Sequence, residues 1–243
     1  MKKILLLLAA ALLSPQLHAE GYQVNNLSSR QNGMGHVGTA LKLNSESLWF
    51  NPAAAAFQRS KFDLSAGLTG IYSYVKYNNI DYSGENRISA ESDNKISTPM
   101  YVYFNYKPTD RIGVGLAFNT PFGSAMDWND NWAGAHLIQN IRLRAYQVQP
   151  TVSFKICKGL AVGAGLAIAW GDFDLARSMS PVGAATNATI AGILTSQGMG
   201  QYAPLFTNGG DRALVSAKLK GDAQVAVGVN VGLMWDNTEE WAV

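Results

Sequence analysis

Few side chains in this chain have the types and spacing that chemistry needs. Gly33-Met34-Gly35-His36-Val37-Gly38 matches G-x-G-x-x-G. A dinucleotide site also needs a strand before that run and a helix after it, in a βαβ unit, and neither is legible here. Flexible backbone between small residues is the better account. Asp127, Asn129 and Asn131 have the spacing of a calcium loop, but Trp132 stands where the glycine belongs and Ile138 where the closing glutamate belongs. Asp172 and Asp174 share one face of a strand end. They could form an acid/base pair, though solvated charges at an outer rim are the simpler reading. His36 and His136 lack metal-ligand spacing, and no G-x-S-x-G is present. The single cysteine, Cys157, excludes an intramolecular disulfide and a cysteine-based zinc cluster. A net charge of +2 gives no footprint for nucleic acid. The residues point to no enzyme, no cofactor and no metal.

The elements that position these residues are strands. Apolar side chains alternate with small or polar ones at Phe62–Tyr74, Met100–Lys107, Ile112–Asn119, Tyr146–Ile156, Leu160–Trp170 and Val225–Trp235. Each run is about 9–13 residues, enough to cross a bilayer at barrel tilt. Rings gather at the strand ends (Tyr72, Tyr101, Phe118, Tyr146, Trp170, Trp235), as in the interfacial girdles of a membrane barrel. Pro150 sits on the apolar side of the fourth run, where a kink or bulge is expected because proline lacks a ladder donor. Only 15% of residues are charged, against a usual ~25%.

A soluble sandwich also alternates. Connection lengths decide between the two. Lys107–Arg111, Cys157–Gly159 and Asp236–Glu240 are short; 78–97, 120–143 and 177–222 are long. Short and long alternate strictly, as when every second connection faces the periplasm and the others face outside. The fold class is therefore an all-β, antiparallel, up-and-down transmembrane β-barrel. Six strands are legible, with the start of a seventh at Glu239–Val243.

Residues 1–19 read as a secretory signal: Lys2 and Lys3, an apolar run Ile4–Leu13, and a cut after about Ala19. Residues 20–60 are rich in Gly, Ala, Ser and Asn and cannot bury much surface alone. Within the barrel region 61–243, the third and fifth runs face this stretch with mostly glycine and alanine, which in strands mark close approach by other backbone or a ligand. A small-residue wall around a small-residue plug follows.

Gly21-Tyr22-Gln23, the run Gly33–Ala40 and Leu48-Trp49-Phe50-Asn51-Pro52-Ala53 resemble the N-terminal hatch of the FadL-type (OmpP1/FadL/TodX-like) outer-membrane transporters. The likeness continues through Phe118–Gly123, Trp132-Ala133-Gly134 and Lys218–Asp222. The resemblance implies a plugged barrel of fourteen strands, of which this chain is the N-terminal portion. It implies passive uptake of long-chain fatty acids or other hydrophobic small molecules across the bacterial cell outer membrane. Outer-membrane lipid and lipopolysaccharide are the other expected partners. The alternative is a non-transporting barrel acting as a surface adhesin or structural protein.

Ligand-binding candidates come from the long connections, where solvated apolar residues should cover something. Phe122, Trp128 and Trp132 lie in the second. Ile190, Ile193 and Leu194 lie in the third, at helical spacing. They cover the barrel mouth or form a landing site for a hydrocarbon. Arg177 is the candidate partner for a fatty-acid carboxylate, since arginine offers a permanent, bidentate donor; a rim arginine facing lipopolysaccharide phosphates is the competing role. Asn51, Pro52 and Ala53 are the candidate gate of the hatch.

Overall fold

The structure, a computed structural model, describes residues 22–80 and 87–236. The signal segment, its cut site and the seventh-strand start at 239–243 lie outside the described residues. Eight strands are β1 (Phe62–Leu68), β2 (Lys76–Ile80), β3 (Arg87–Glu91), β4 (Met100–Tyr106), β5 (Ile112–Asp127), β6 (Asn140–Lys155), β7 (Leu160–Ser178) and β8 (Ser216–Trp235). Six of them form one antiparallel sheet in the order β1-β4-β5-β6-β7-β8; β2 and β3 form a separate hairpin. Each strand of the sheet after β1 pairs with the one before it, the meander of an up-and-down wall.

Alternation puts two different surfaces on this sheet. Its inner face carries Tyr101, Tyr103, Asn105, Gly113, Gly115, Ala117, Gln149, Thr151, Ser153, Ala161 and Gly163, all buried. The outer face carries valine, leucine and phenylalanine without cover. Leu64 is 68% exposed, Val114 43% and Val229 71%. Leaving such side chains in water forgoes about 1.5–3 kcal/mol each, so this face belongs against lipid, and the two-layer sandwich is excluded.

Strand lengths correct the sequence reading. β5 runs on through 120–127, β6 starts at Asn140, β7 continues to Ser178, and β8 starts at Ser216. The stretches expected as loops at 120–143 and 177–222 shrink to 128–139 and 179–215. The expected loop 78–97 contains part of β2 and all of β3, and the first strand stops at Leu68 instead of Tyr74. For β5 and β8 the cause lies in two irregularities, between Asn119 and Phe122 in β5 and opposite Ala169–Gly171 in β8. Each adds a residue to one strand and reverses which parity faces inward. The alternation therefore breaks in the sequence while the ladder continues in space. Neither irregularity falls at Pro150. There the β6–β7 pairing passes from Val148↔Ile168 to Thr151↔Gly165 without a shift.

Residues 22–58 cover the lower part of the inner face. They include α1 (Ser29–Gly33), α2 (Ser47–Phe50) and a 3₁₀ turn, Pro52–Phe57. Two further helices, α3 (Ala184–Ser196) and α4 (Ala203–Thr207), lie in the connection between β7 and β8.

Candidate functional site

The hatch has little regular structure, so its backbone carbonyls need partners from elsewhere. The wall supplies them as side-chain donors. Asn105 Nδ2 donates to the Ala55 carbonyl (3.2 Å), Gln149 Nε2 to Leu48 (2.6 Å), Asn230 Nδ2 to Trp49 (3.0 Å) and the Tyr103 hydroxyl to Leu27 (2.9 Å). Glu46 in the hatch, 3% exposed, accepts from Ser28 Oγ and, at 2.7 Å, from Ser65 Oγ of β1. Ser45 N–H donates to Asp63 at 2.9 Å. Lys42 Nζ reaches Asp236, beyond the end of β8, at 2.6 Å.

Asn51, Pro52 and Ala53 are all buried. Asn51 caps the 3₁₀ turn: its Oδ1 accepts the Ala53 N–H at 3.1 Å, while Nδ2 donates to Thr39 O (2.9 Å) and to Leu233 O of β8 (3.3 Å). Asparagine at the cap and proline at the first position suit a helical start. The turn rests directly on wall backbone. A Cβ at Gly163 would lie 2.5 Å from Ala53 N, and one at Gly232 would lie 2.9 Å from Pro52 Cδ. Glycine is required at both places because the chains approach too closely for a side chain.

Above the hatch the inner face changes character. The β5 irregularity aims Phe122 and Met126 inward, in register with Ala145 and Ile141. The β8 irregularity does the same for Leu219, opposite Leu175. Phe173 faces the same way, and its ring lies across Gly221, where a Cβ would approach it to 2.9 Å. Together with Leu143 these residues form an apolar trough. Arg177, two residues beyond Leu175 on the same face of β7, stands at its upper end and is exposed. At the lower end the hatch joins β5: Val24 N–H donates to Pro121 O (2.8 Å), Gly123 N–H to Tyr22 O (3.0 Å), and Gln23 bridges to Phe122. A cleft of about 400 Å³ opens on the hatch between Gln23, Val24, Asn25, His36, Trp49 and Phe50.

The sequence candidates thus separate into three groups. Phe122 and Arg177 share the trough. Trp128 and Trp132 do not form an exposed landing site: each is 8% exposed, and their rings stack at 4.2 Å. Tyr77 of the hairpin meets Trp132 edge-on at 5.3 Å, and Trp132 Nε1 donates to Ile138 O at 2.6 Å. Val75, Ala90, Met126, Ile138 and Val182 complete this small core. Large aromatic rings bury more area than the loops could leave in water, so they knit the outer connections together. Ile190, Ile193 and Leu194 do lie on a helix, α3; Ile193 is exposed and the other two are half-buried. Asp172 and Asp174 are each taken by a cation, Arg144 at 2.8 Å and Lys220 at 2.9 Å, and so do not form an acid/base pair.

Sequence reasoning missed Leu143, Phe173, Leu175 and Leu219 as trough residues. The available signal was the charge at alternate positions beside them: Arg142 and Arg144, Asp172 and Asp174, Lys218 and Lys220. Period-two charge marks a continuing strand whose outer face has left the lipid.

Comparison with known proteins agrees with this architecture. The chain is 26% identical over 239 residues to the long-chain fatty acid transport protein of Escherichia coli, covering 96% of this chain and 52% of that protein. A putative outer membrane protein of Neisseria meningitidis is 27% identical over 143 residues, 57% of this chain and 30% of its own. Among solved structures, a Pseudomonas aeruginosa FadL homologue superposes with a TM-score of 0.64 at 19% identity, over 90% of this chain and 50% of its own. The Pseudomonas putida toluene transporter TodX superposes with a TM-score of 0.58 at 17% identity, over 91% and 54%. The structural likeness shows the fold. The chain spans about half the length of the E. coli relative. The model of the outer membrane protein transport protein family (OMPP1/FadL/TodX) matches residues 10–243, and the chain belongs to that family.

Proposed function

We propose that the chain carries the hatch and ligand-receiving wall of an outer-membrane pathway for passive uptake of hydrophobic compounds, fatty acids or hydrocarbons. One observation carries the reading. The inner face is polar and filled by the hatch below, but apolar and open above, with a single permanent cation at the upper end of β7. An acyl chain would lie along Phe122, Phe173, Leu175 and Leu219, and its carboxylate would meet Arg177. Ile193 on α3 would offer a first apolar contact outside.

Release would follow displacement of the Asn51-Pro52-Ala53 turn from Gly163 and Gly232. The turn is held by the Asn51 side chain, by Asn105 Nδ2 on the Ala55 carbonyl and by close backbone contact, so a small movement that broke these few contacts would open it. Family membership, and relatives that transport long-chain fatty acids or toluene, support the ligand class.

The test compares oleate with toluene. Arg177→Ala should weaken oleate binding about 10- to 100-fold, the worth of a hydrogen bond to a charged group, and leave toluene binding unchanged. Equal oleate affinity in both proteins would remove Arg177 from the site. Asn51→Ala/Pro52→Ala should change uptake by cells while outer-membrane insertion stays normal; unchanged uptake would remove the gate.

A further inference from the structure

The two ends of the wall differ in how their charges are matched. At the end with the long connections, carboxylates stand beside the cations: Arg144 meets Asp172, Lys220 meets Asp174, Arg142 meets Asp127 and Lys76 meets Glu91. The end with the short connections is different. Arg59, Lys61, Arg111 and Lys158 are exposed and make no ion pair among the described residues. Two carboxylates lie near them. Asp110, itself fully exposed, is 3.8 Å from Lys107, and Asp236 is held by Lys42 at 2.6 Å. The whole chain carries only +2, so its positive excess is gathered at this one end.

Backbone pairing brings these side chains together. Lys107 N–H donates to Lys61 O at 2.9 Å and Lys155 N–H to Arg111 O at 2.7 Å, so the ladders β1–β4 and β5–β6 both close on pairs of cations. Lys107 and Lys155 continue the inward positions of β4 and β6 and are seated on the hatch. Lys107 Nζ donates to the Gln58 carbonyl at 2.8 Å, and Lys155 Nζ lies 4.8 Å over the Phe57 ring. The outward positions at the same level hold Phe62, Tyr106 and Phe154, the first two with rings stacked at 4.7 Å. Rings at that level meet the lipid. The cations instead form a collar around the base of the hatch. Like charges gathered without partners repel one another and steer a macromolecule of opposite sign towards them.

We propose that this collar is a docking surface for an acidic polypeptide of the periplasm. Carboxylates of the partner pair with Arg59, Lys61, Arg111 and Lys158. Lys107 and Lys155 stay on the hatch and add to the field. A phospholipid head group would approach from the outer side, where the positions are aromatic. The inference rests on the membrane placement proposed above, with the short connections towards the periplasm.

The experiment uses the full chain in phosphatidylcholine nanodiscs, with a solvatochromic dye on Cys157, the one cysteine, exposed in the β6–β7 connection beside Lys158. A Glu-rich peptide is titrated, with a Gln-rich peptide of equal length as the neutral control. A saturable change in emission is expected with the acidic peptide alone, weakening as salt rises. Lys61→Gln/Arg111→Gln should lower its affinity about tenfold, the combined worth of two exposed ion pairs. Neither side chain touches the hatch, and an unchanged urea midpoint confirms the fold. Lys218→Gln, at the opposite end, should change nothing. An equal response to both peptides, or an affinity unmoved by the double variant, would overturn the docking surface. So would phosphatidylglycerol in the disc if it displaced the acidic peptide from the unsubstituted collar and failed to change the dye's emission in the double variant, because the collar would then belong to lipid phosphate. Each of these results leaves the transport reading to the Arg177 test. Failure to enter any nanodisc would overturn the membrane placement on which both rest.

Discussion

The lower and upper halves of the wall are made from the same strands yet solve opposite problems. Below, the inner face is glycine, alanine and amides, and a chain segment fills it; outside, it is bare valine and leucine. Above, the inner face is phenylalanine and leucine, with Phe122 40% and Leu219 59% exposed, and the outside is arginine, lysine and aspartate. Two one-residue irregularities and a change of composition in β6 and β7 bring about the exchange at one level. Lower-half residues should therefore govern stability with little effect on ligand, and upper-half residues the reverse.

The largest effect that could break this contrast is expected at Gly163. A side chain there meets the backbone of Ala53, which cannot rotate away. Gly163→Val should cost about 3 kcal/mol, the upper range for overpacking, and expose the hatch to protease; urea titration of the folded protein in detergent measures it. An unchanged midpoint would mean the hatch does not rest on β7.

The complementary pair of substitutions is more discriminating. Gln149, 1% exposed, donates to the Leu48 carbonyl. Gln149→Leu keeps the volume and orphans that carbonyl, which should cost about 1–3 kcal/mol with ligand affinity preserved. In the upper half, Leu175→Asp should lower affinity for an alkyl ligand about tenfold or more, since a buried leucine contributes about 1.5–3 kcal/mol, with stability nearly unchanged. Isothermal titration beside the urea midpoint separates the two. If both variants lose stability and affinity together, the halves are one unit and the contrast fails.

Much of the lower half was legible in the sequence. Strict alternation at 100–106 and 160–170 and the run of small residues at 51–56 announce a thin wall against a thin plug. The upper half was not. Phe118 and Phe122 have the same parity, yet one faces out and the other in, because the residues around Thr120 and Pro121 slip the register between them. Leu219 and Val225 differ in the same way across the β8 irregularity. A reading by parity ends each strand where the slip begins and assigns the rest to loops. The tryptophans misled for a related reason: an aromatic residue in a connection signals burial against something, and here that something is the β2–β3 hairpin.

The smallest expected effect concerns that hairpin, which fastens the outer connections. The Tyr74 hydroxyl bonds Glu91 and, with Lys76 at 3.1 Å, holds the Glu91 carboxylate below its ordinary pKa. A depressed carboxylate contributes stability above its unfolded pKa and loses it as pH falls through the folded value. Hydrogen exchange across Lys76–Ile80 should therefore quicken on acidification below the usual carboxylate range, relative to its own intrinsic rate, and Glu91→Gln should abolish the dependence. Exchange across Leu160–Leu166 should show no such step.

The central claim is that hydrophobic ligand occupies the upper inner face and no other part of the wall. Photo-crosslinking with a diazirine-bearing oleate, followed by peptide mapping, tests it directly. The account predicts adducts at Phe122, Phe173, Leu175 and Leu219 that unlabelled oleate competes away. Competable adducts confined to outward positions such as Val227 and Val229, with none on the inner face, would contradict it.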